Sequence, residues 1–140
     1  MKRSKKGVGK FRSVCPIAST LDLVGDKWSL LVVRDLLRGR STYGELASAP
    51  EKIPTNILAD RLRRLEDAGL IESSAYQERP VRYAYKLSAK GEALEDVLRA
   101  FVTWGKAHIP GTKTYTEVAR SNERQTAARA GSRKPSRNPR

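Results

Sequence analysis

The sequence predicts a mainly helical fold with one small β-hairpin, in the order α-α-α-α-β-β-α. Apolar residues recur at helical spacing in four segments, whereas they alternate with polar residues in only one. Hydrophobic residues make up 39% of the 140 residues, which is enough for one domain with a core. One cysteine, Cys15, and one histidine, His108, are too few for an internal disulfide or a metal site. A hydrophobic core therefore has to hold the fold together.

The first two helices are bounded by residues that favour helix ends. Pro16 suits the first position of a helix, with Cys15 as its N-cap, and Gly25 stops that helix. Asp26 can cap a second helix over about 27–38, which has little polar surface. We therefore expect the second helix to be the central buried one.

A short helix, a tight turn and a longer helix follow. Thr42 and Glu45 form a capping box for a third helix over about 43–48. After the turn, a fourth helix runs over about 55–68, with Gly69 at its end. Its apolar residues recur at i, i+4 and i+7 and form one stripe, made by Leu58, Leu62 and Leu65.

The chain then changes to an extended pattern and ends in a last long helix. Residues 70–76 and 82–87 are predicted strands, joined by residues 77–81 into a hairpin with a basic tip. Ser88 can cap a helix that continues to about His108. Apolar residues on that helix form one face, made by Leu94, Val97, Leu98, Phe101 and Trp104.

Two helices across a tight turn, followed by a hairpin, are typical of a winged helix-turn-helix, whose second helix enters the DNA major groove. On the fourth helix, some residues lie on the side opposite the leucine stripe. One further residue lies beside the stripe, and another is at the first position of the helix. These predicted DNA-binding residues are Thr55, Asn56, Ala59, Asp60, Arg63 and Arg64. Asparagine can pair with adenine, and arginine with guanine or phosphate. Arg61 lies nearer the stripe and is a weaker candidate. The alternative is an ordinary solvated helix face.

The hairpin and the last helix carry two further predictions. Arg79 and Arg82 at the hairpin tip, the wing of the fold, are expected to contact phosphate or the minor groove. The alternative for them is a solubilising turn. The apolar face of the last helix offers more surface than a small core can cover, which predicts a homodimer through the terminal helices. The alternative is that this face packs only on its own domain.

The net charge of +13 is concentrated at the two ends of the chain. Residues 1–14 have six basic and no acidic residues, and residues 111–140 have eight basic and two acidic ones, so each end carries +6. Because neither end has an apolar period, we expect a flexible arm over 1–14, a folded domain over 15–110 and a disordered tail over 111–140. Such basic tails could also bind nucleic acid by themselves, without sequence specificity.

Other classes of function find no support in the sequence. No apolar run reaches the roughly 18 residues of a membrane span and no signal peptide is recognisable, so we expect a cytoplasmic protein. The chain lacks a phosphate-binding glycine loop, a nucleophile elbow and a histidine-based acid–base pair, so we expect neither an enzyme nor a cofactor. A winged helix used only for protein interaction remains an alternative.

Short motifs in the order of the predicted elements cover most of the chain. They are Cys15-Pro16 through Leu21, Gly25-Asp26-Lys27-Trp28-Ser29-Leu30-Leu31, Arg34-Asp35-Leu36-Leu37, Tyr43-Gly44-Glu45-Leu46, Ile53 through Leu65, Ala68-Gly69-Leu70-Ile71, Arg79-Pro80-Val81-Arg82-Tyr83, Leu87-Ser88-Ala89-Lys90-Gly91 and Trp104-Gly105. Together they resemble the pattern of the HxlR family of transcription regulators. The resemblance implies a homodimeric, sequence-specific regulator that reads a symmetric operator with the fourth helix. We expect a repressor with double-stranded DNA as its partner.

Cys15 is a candidate redox sensor. Some proteins of the HxlR family sense oxidants or aldehydes through a cysteine at the corresponding position. At a helix N-cap and close in sequence to Lys10 and Arg12, the thiolate of Cys15 would be stabilised, as a sensor of an oxidant or small-molecule effector requires. The alternative is an inert cysteine at the dimer interface.

Overall fold

The computed structural model describes residues 11–132 and divides into two compact units, between Leu98 and Arg99. The elements follow the predicted order, with one extra break and one extra helix. They are α1 (Pro16–Val24), α2 (Ser29–Leu37), α3 (Tyr43–Ala47), α4 (Thr55–Asp67), β1 (Ile71–Glu78), β2 (Val81–Leu87), α5 (Ala89–Glu92), α6 (Glu95–His108) and α7 (Tyr115–Gly131).

The core of the first unit is built around α2, as the sequence predicts. This helix packs against α3, α4 and β2, and it buries Val32, Val33 and Leu36. The helix-turn-helix and the first strand supply most of the remaining core: Leu46, Ile53, Leu58, Leu62, Leu65, Leu70 and Ile71. Burial of these apolar side chains is the main stabilising contribution to the unit.

The start of α2 differs from the prediction by two residues. The Asp26 carboxylate accepts hydrogen bonds from the backbone N–H groups of Trp28 and Ser29, at 3.0 and 3.1 Å, and from the Ser29 hydroxyl. Asp26 therefore has the capping role that was predicted. Because these bonds hold Lys27 and Trp28 in a turn, the helix begins at Ser29.

The last long helix is interrupted, and the prediction of one helix from Ser88 onward is wrong. The Ser88 hydroxyl caps the short α5 by accepting from the Gly91 N–H at 3.1 Å. Gly91 is buried, and a Cβ built on it would lie 2.0 Å from the Leu70 carbonyl oxygen. Position 91 therefore requires glycine. At the break itself, residues 93 and 94 form a turn in which the Leu94 N–H donates to the Gly91 carbonyl at 3.1 Å, and Leu94 packs against the core.

The hairpin pairs β1 with β2 from Ile71↔Leu87 to Ala75↔Tyr83, and then the register shifts by one residue. Its strands extend further toward the tip than predicted. The Tyr85 N–H donates to the Ser41 carbonyl at 2.7 Å, which ties the hairpin to the segment before α3. The wing is therefore held against the helix-turn-helix by a main-chain hydrogen bond, within an isolated β-bridge between Thr42 and Ala84.

In the second unit, residues 115–131 form α7, so the expected disorder from residue 111 onward does not hold there. Thr114 and Glu117 form a capping box at its start, and Lys106 Nζ lies 2.8 Å from Glu117 Oε1. Residues 115–130 are mostly good helix formers. The glycine and proline residues that suggested disorder come mainly after them. The remainder of the predicted tail, 133–140, and residues 1–10 of the predicted arm lie outside the described residues.

None of the helices in residues 11–132 combines the length and apolar character needed to cross a membrane.

Candidate nucleic-acid interface

Helix α4 separates a buried face from an exposed polar face. Leu58, Leu62 and Leu65 are buried, with at most 2% of each residue exposed. The outward direction predicted for five other residues is confirmed, because all of them are exposed: Thr55, Asn56, Ala59, Arg63 and Arg64. A rigid helix thus presents an amide and two guanidinium groups to solvent.

The start of α4 is held by α3 and carries no anionic cap. The Tyr43 hydroxyl donates to the Thr55 carbonyl at 2.6 Å, which joins the two helices of the helix-turn-helix. Pro54 precedes the helix and offers no side-chain cap, and the first turn contains no acidic residue. A helix start of this kind attracts phosphate, because its N–H groups and its dipole both favour an anion.

Asp60 was predicted to face DNA, but in the structure it is half-buried and surrounded by arginines. Its carboxylate oxygens lie 3.0 Å from Arg63 Nη2 and 3.1 Å from Arg64 Nε, and they also pair with Arg61. The hydrogen bond from Arg63, followed by the charges of the other arginines, lowers the pKa of Asp60. In the free protein, Asp60 thus partly neutralises and positions the arginines beside it.

Arg61 is a structural residue of α4. Its side chain is only 18% exposed, and its Nε lies 2.7 Å from Asp26 Oδ2 in the turn before α2. Burial by itself would raise the pKa of Asp26, but hydrogen bonds from Ser29, Trp28 and Arg61 lower it to about 2. Sequence reasoning ranked Arg61 low as a DNA contact but missed its partner. A charged residue beside a buried stripe needs a counter-charge, and this was the available signal.

The two wing arginines are exposed. Arg79 lies in the turn between the strands, and Arg82 follows the first residue of β2. Within residues 11–132, neither side chain has a carboxylate at salt-bridge distance. Both guanidinium groups are therefore available to an anion.

The predicted dimer residues range from half-buried to exposed. Leu94 packs against the core of the first unit, and Val97 and Leu98 are half-buried. Phe101 and Trp104 are 61% and 62% exposed. Large aromatic residues at this exposure are unusual for a surface without a partner.

Cys15 is exposed and forms the N-cap of α1, as predicted. The Cys15 N–H donates to the Ser13 hydroxyl at 3.2 Å. The guanidinium group of Arg12, which was expected to stabilise the thiolate, pairs with Asp22. Lys10, its other expected neighbour, lies outside the described residues.

A family model described as HxlR-like helix-turn-helix matches residues 23–113. This chain belongs to the HxlR-like family. The match includes the helix-turn-helix, the wing and α6, but it ends before α7.

Two curated relatives are HTH-type transcriptional regulators that are themselves uncharacterised. The protein sll1512 of Synechocystis is 41% identical over 87 residues, which are 62% of this chain and 64% of that protein. YdeP of Bacillus subtilis is 32% identical over 94 residues, which are 67% of this chain and 73% of that protein. The alignment with sll1512 thus spans less than two thirds of that relative.

Solved structures of similar fold include transcription regulators, one of them a redox regulator. PA1607, a candidate transcription factor, has a TM-score of 0.65 and 35% identity, covering 74% of this chain and 72% of its own. The reduced form of the B. subtilis regulator YodB has a TM-score of 0.59 and 28% identity, over 72% of this chain and all of that one. The oxidised form of the redox regulator HypR has a TM-score of 0.61 and 28% identity, over 67% of this chain and 97% of that one.

These likenesses confirm the predicted winged helix-turn-helix and the predicted class of function. The HxlR-like chain described here is a DNA-binding transcription regulator.

Proposed function

We propose that the protein is a homodimeric repressor that reads a symmetric DNA operator, with α4 in the major groove and the wing alongside. The observation that carries this proposal is the exposed polar face of α4, held rigid by a buried leucine stripe on its other side. A face of this chemistry suits base edges, and a rigid helix holds its side chains in a fixed register on the duplex.

The roles within this surface follow from the chemistry of each side chain. Asn56 and Arg63 are proposed to contact base edges, since an amide matches adenine and a guanidinium matches guanine. Arg64 and the start of α4 at Thr55 are proposed to contact phosphate. Asp60 would release its arginines as they engage DNA, and its carboxylate could then accept from a cytosine amino group.

The wing arginines are proposed to contact the DNA backbone. Arg79 and Arg82 are exposed and have no acidic partner among residues 11–132. Backbone contacts contribute affinity that depends on salt and little on sequence.

Dimerisation is supported by the exposed apolar residues of α6. Phe101 and Trp104 lie one turn apart on the helix, so they present a joint aromatic surface. A second copy would bury it across a twofold axis. Two recognition helices in such a dimer would meet half-sites about 34 Å apart, one turn of DNA.

The test is selection of bound duplexes from a random DNA pool by the full chain at physiological salt. We expect an inverted repeat to be enriched. We also expect Arg63→Ala to lose about 1–3 kcal/mol on that repeat, while Arg79→Ala weakens binding to all sequences alike. Equal losses of Arg63→Ala on the repeat and on random DNA would contradict a base-reading role.

A second candidate is binding without sequence specificity through the ends of the chain, which each carry +6. In that case the selection would yield no motif, and affinity would fall steeply with salt for every duplex. The same experiment therefore separates the two functions.

Sensing through Cys15 is a further part of the proposal. It is supported by the exposure of Cys15 at the N-cap of α1 and by the likeness to structures of redox regulators. We expect iodoacetamide to alkylate Cys15 faster than it alkylates free glutathione at pH 7. Labelling no faster than glutathione would support an inert cysteine at the dimer interface.

A further inference from the structure

An open cleft lies between the wing and the start of α3. Its volume is about 470 Å³, which is within the range of small-molecule sites. One wall is formed by residues 42–44, and the other by Tyr76 and residues 81–83. All of these residues belong to the first unit of the chain.

Three tyrosines line the cleft, and one of them is placed there by an irregularity of the hairpin. Tyr43 comes from α3, and Tyr76 and Tyr83 come from the two strands. Ala75 pairs with Tyr83 and Gln77 pairs with Arg82, so Tyr76 is the extra residue of a β-bulge. A bulge changes the direction of a side chain, and here it allows two neighbouring strand tyrosines to line the same cleft.

The cleft is also positively charged. Arg82 is exposed, and no carboxylate within residues 11–132 pairs with it. The phenol groups of Tyr76 and Tyr83 add hydrogen-bond donors, whereas the hydroxyls of Tyr43 and Thr42 already donate to the Thr55 carbonyl and the Glu45 carboxylate. Flat aromatic walls beside an uncompensated guanidinium suit a ligand that is both planar and anionic.

We propose that this cleft, lined by Tyr43, Tyr76, Tyr83 and Arg82, binds a small planar aromatic anion such as an aromatic carboxylate. The ring would stack among the tyrosines, and the carboxylate would pair with Arg82. The site lies outside the polar face of α4 and needs no cysteine chemistry.

The position of the cleft links it to DNA binding, an inference that rests on the proposed function. Arg82 is a proposed phosphate contact, and it cannot neutralise a ligand and a phosphate equally well at the same time. Tyr43 on the opposite wall donates to Thr55 at the start of α4. A ligand that favours the DNA-free protein lowers DNA affinity, and DNA lowers ligand affinity by the same factor.

The first experiment uses the full chain without DNA and three probes of similar size. Benzoate is planar and anionic, benzamide is planar and neutral, and cyclohexanecarboxylate is anionic but not planar. Ligand-observed NMR should show saturable binding of benzoate, with each of the other two at least about tenfold weaker. Equal binding of the two carboxylates would overturn the proposal, because charge alone would then account for it.

Matched variants locate the site. Arg82→Gln should weaken benzoate binding by about tenfold or more, while Arg79→Gln, the same change in the neighbouring turn, should leave it unchanged. Tyr76→Leu should weaken it as well, with Tyr115→Leu in the second unit as the control. Equal effects of Arg82→Gln and Arg79→Gln would overturn the site. Circular dichroism checks that each variant folds.

The second experiment measures fluorescence anisotropy of the selected operator duplex with and without saturating benzoate. We expect benzoate to lower the DNA affinity of the parent protein severalfold. It should leave the DNA affinity of the Arg82→Gln variant, whatever its value, unchanged. Binding of benzoate with unchanged DNA affinity would leave the ligand site standing and refute the regulation. Failure to select an operator would refute the proposed function and leave the NMR result unaffected.

Discussion

Helices α4 and α6 are both amphipathic and of similar length, yet they treat their apolar residues in opposite ways. The leucines of α4 are buried within the chain's own core, whereas α6 has no buried residue and leaves Phe101 and Trp104 largely exposed. The spacing of apolar residues predicts a helix and its apolar face. That spacing does not predict whether the partner of the apolar face lies in the same chain.

The largest effect is expected from breaking the buried face of α4. Leu62→Ala removes a side chain that is 98% buried and should lower the free energy of unfolding by about 2–5 kcal/mol. Urea denaturation at fixed protein concentration measures it. Arg63→Ala, on the exposed face of the same helix, should change stability by less than about 0.5 kcal/mol.

The next effect concerns the exposed face of α6. If a second copy covers it, Trp104→Ala should weaken the dimer by about thirtyfold or more, since buried tryptophans dominate interfaces. Analytical ultracentrifugation measures the dissociation constant. The control is Val102→Ala, which changes an exposed apolar residue on the opposite side of α6. A monomeric parent protein, or equal effects of the two variants, would contradict the dimer.

A smaller effect is expected at the ion pair that anchors α4. The pKa of Asp26 falls from an ordinary 3.8 to about 2 on folding. Because the folded value is the lower one, this contribution to stability is present above pH 4 and is lost as the pH falls toward 2. Asp26→Asn should cost about 1–2 kcal/mol at pH 7 and flatten the stability curve in that acid range. The control is Asp67→Asn, which changes an exposed carboxylate at the end of α4 and should neither lower stability at pH 7 nor flatten the stability curve.

The smallest effect is local and lies in the second unit. The hydrogen bond from Lys106, followed by bonds from Thr114, lowers the pKa of Glu117 to about 2. Since the folded value is again the lower one, the capping box should open as the pH falls from 4.5 toward 2. Glu117→Ala should speed amide hydrogen exchange in the first turns of α7 at neutral pH, because it removes the acceptor of the Thr114 N–H. Glu123→Ala in the same helix is the control, and equal exchange rates would contradict the role of the box.

Part of the site was predictable because it depends on residues close together in sequence. The outward residues of α4 follow from the leucine stripe, since a helix has a fixed rotation per residue. The caps at Thr42, Ser88 and Asp26 follow from the same local chemistry. Helix α7 was also predictable, because Thr114 and Glu117 repeat the spacing of Thr42 and Glu45. The overall composition of residues 111–140 hides this helix, because the glycine and proline residues near the end obscure the helix formers before them.

The sequence by itself determined the boundaries of the first four helices to within a few residues, the outward face of α4 and the class of the fold. The tertiary structure alone decided that Arg61 anchors to Asp26, that Gly91 passes against Leu70, and that the tyrosines of α3 and the wing share a cleft with Arg82. The physical reason is distance along the chain. Caps and stripes act over three or four residues, whereas each of these arrangements brings together segments about twenty or more positions apart, whose meeting depends on the packing of the whole unit.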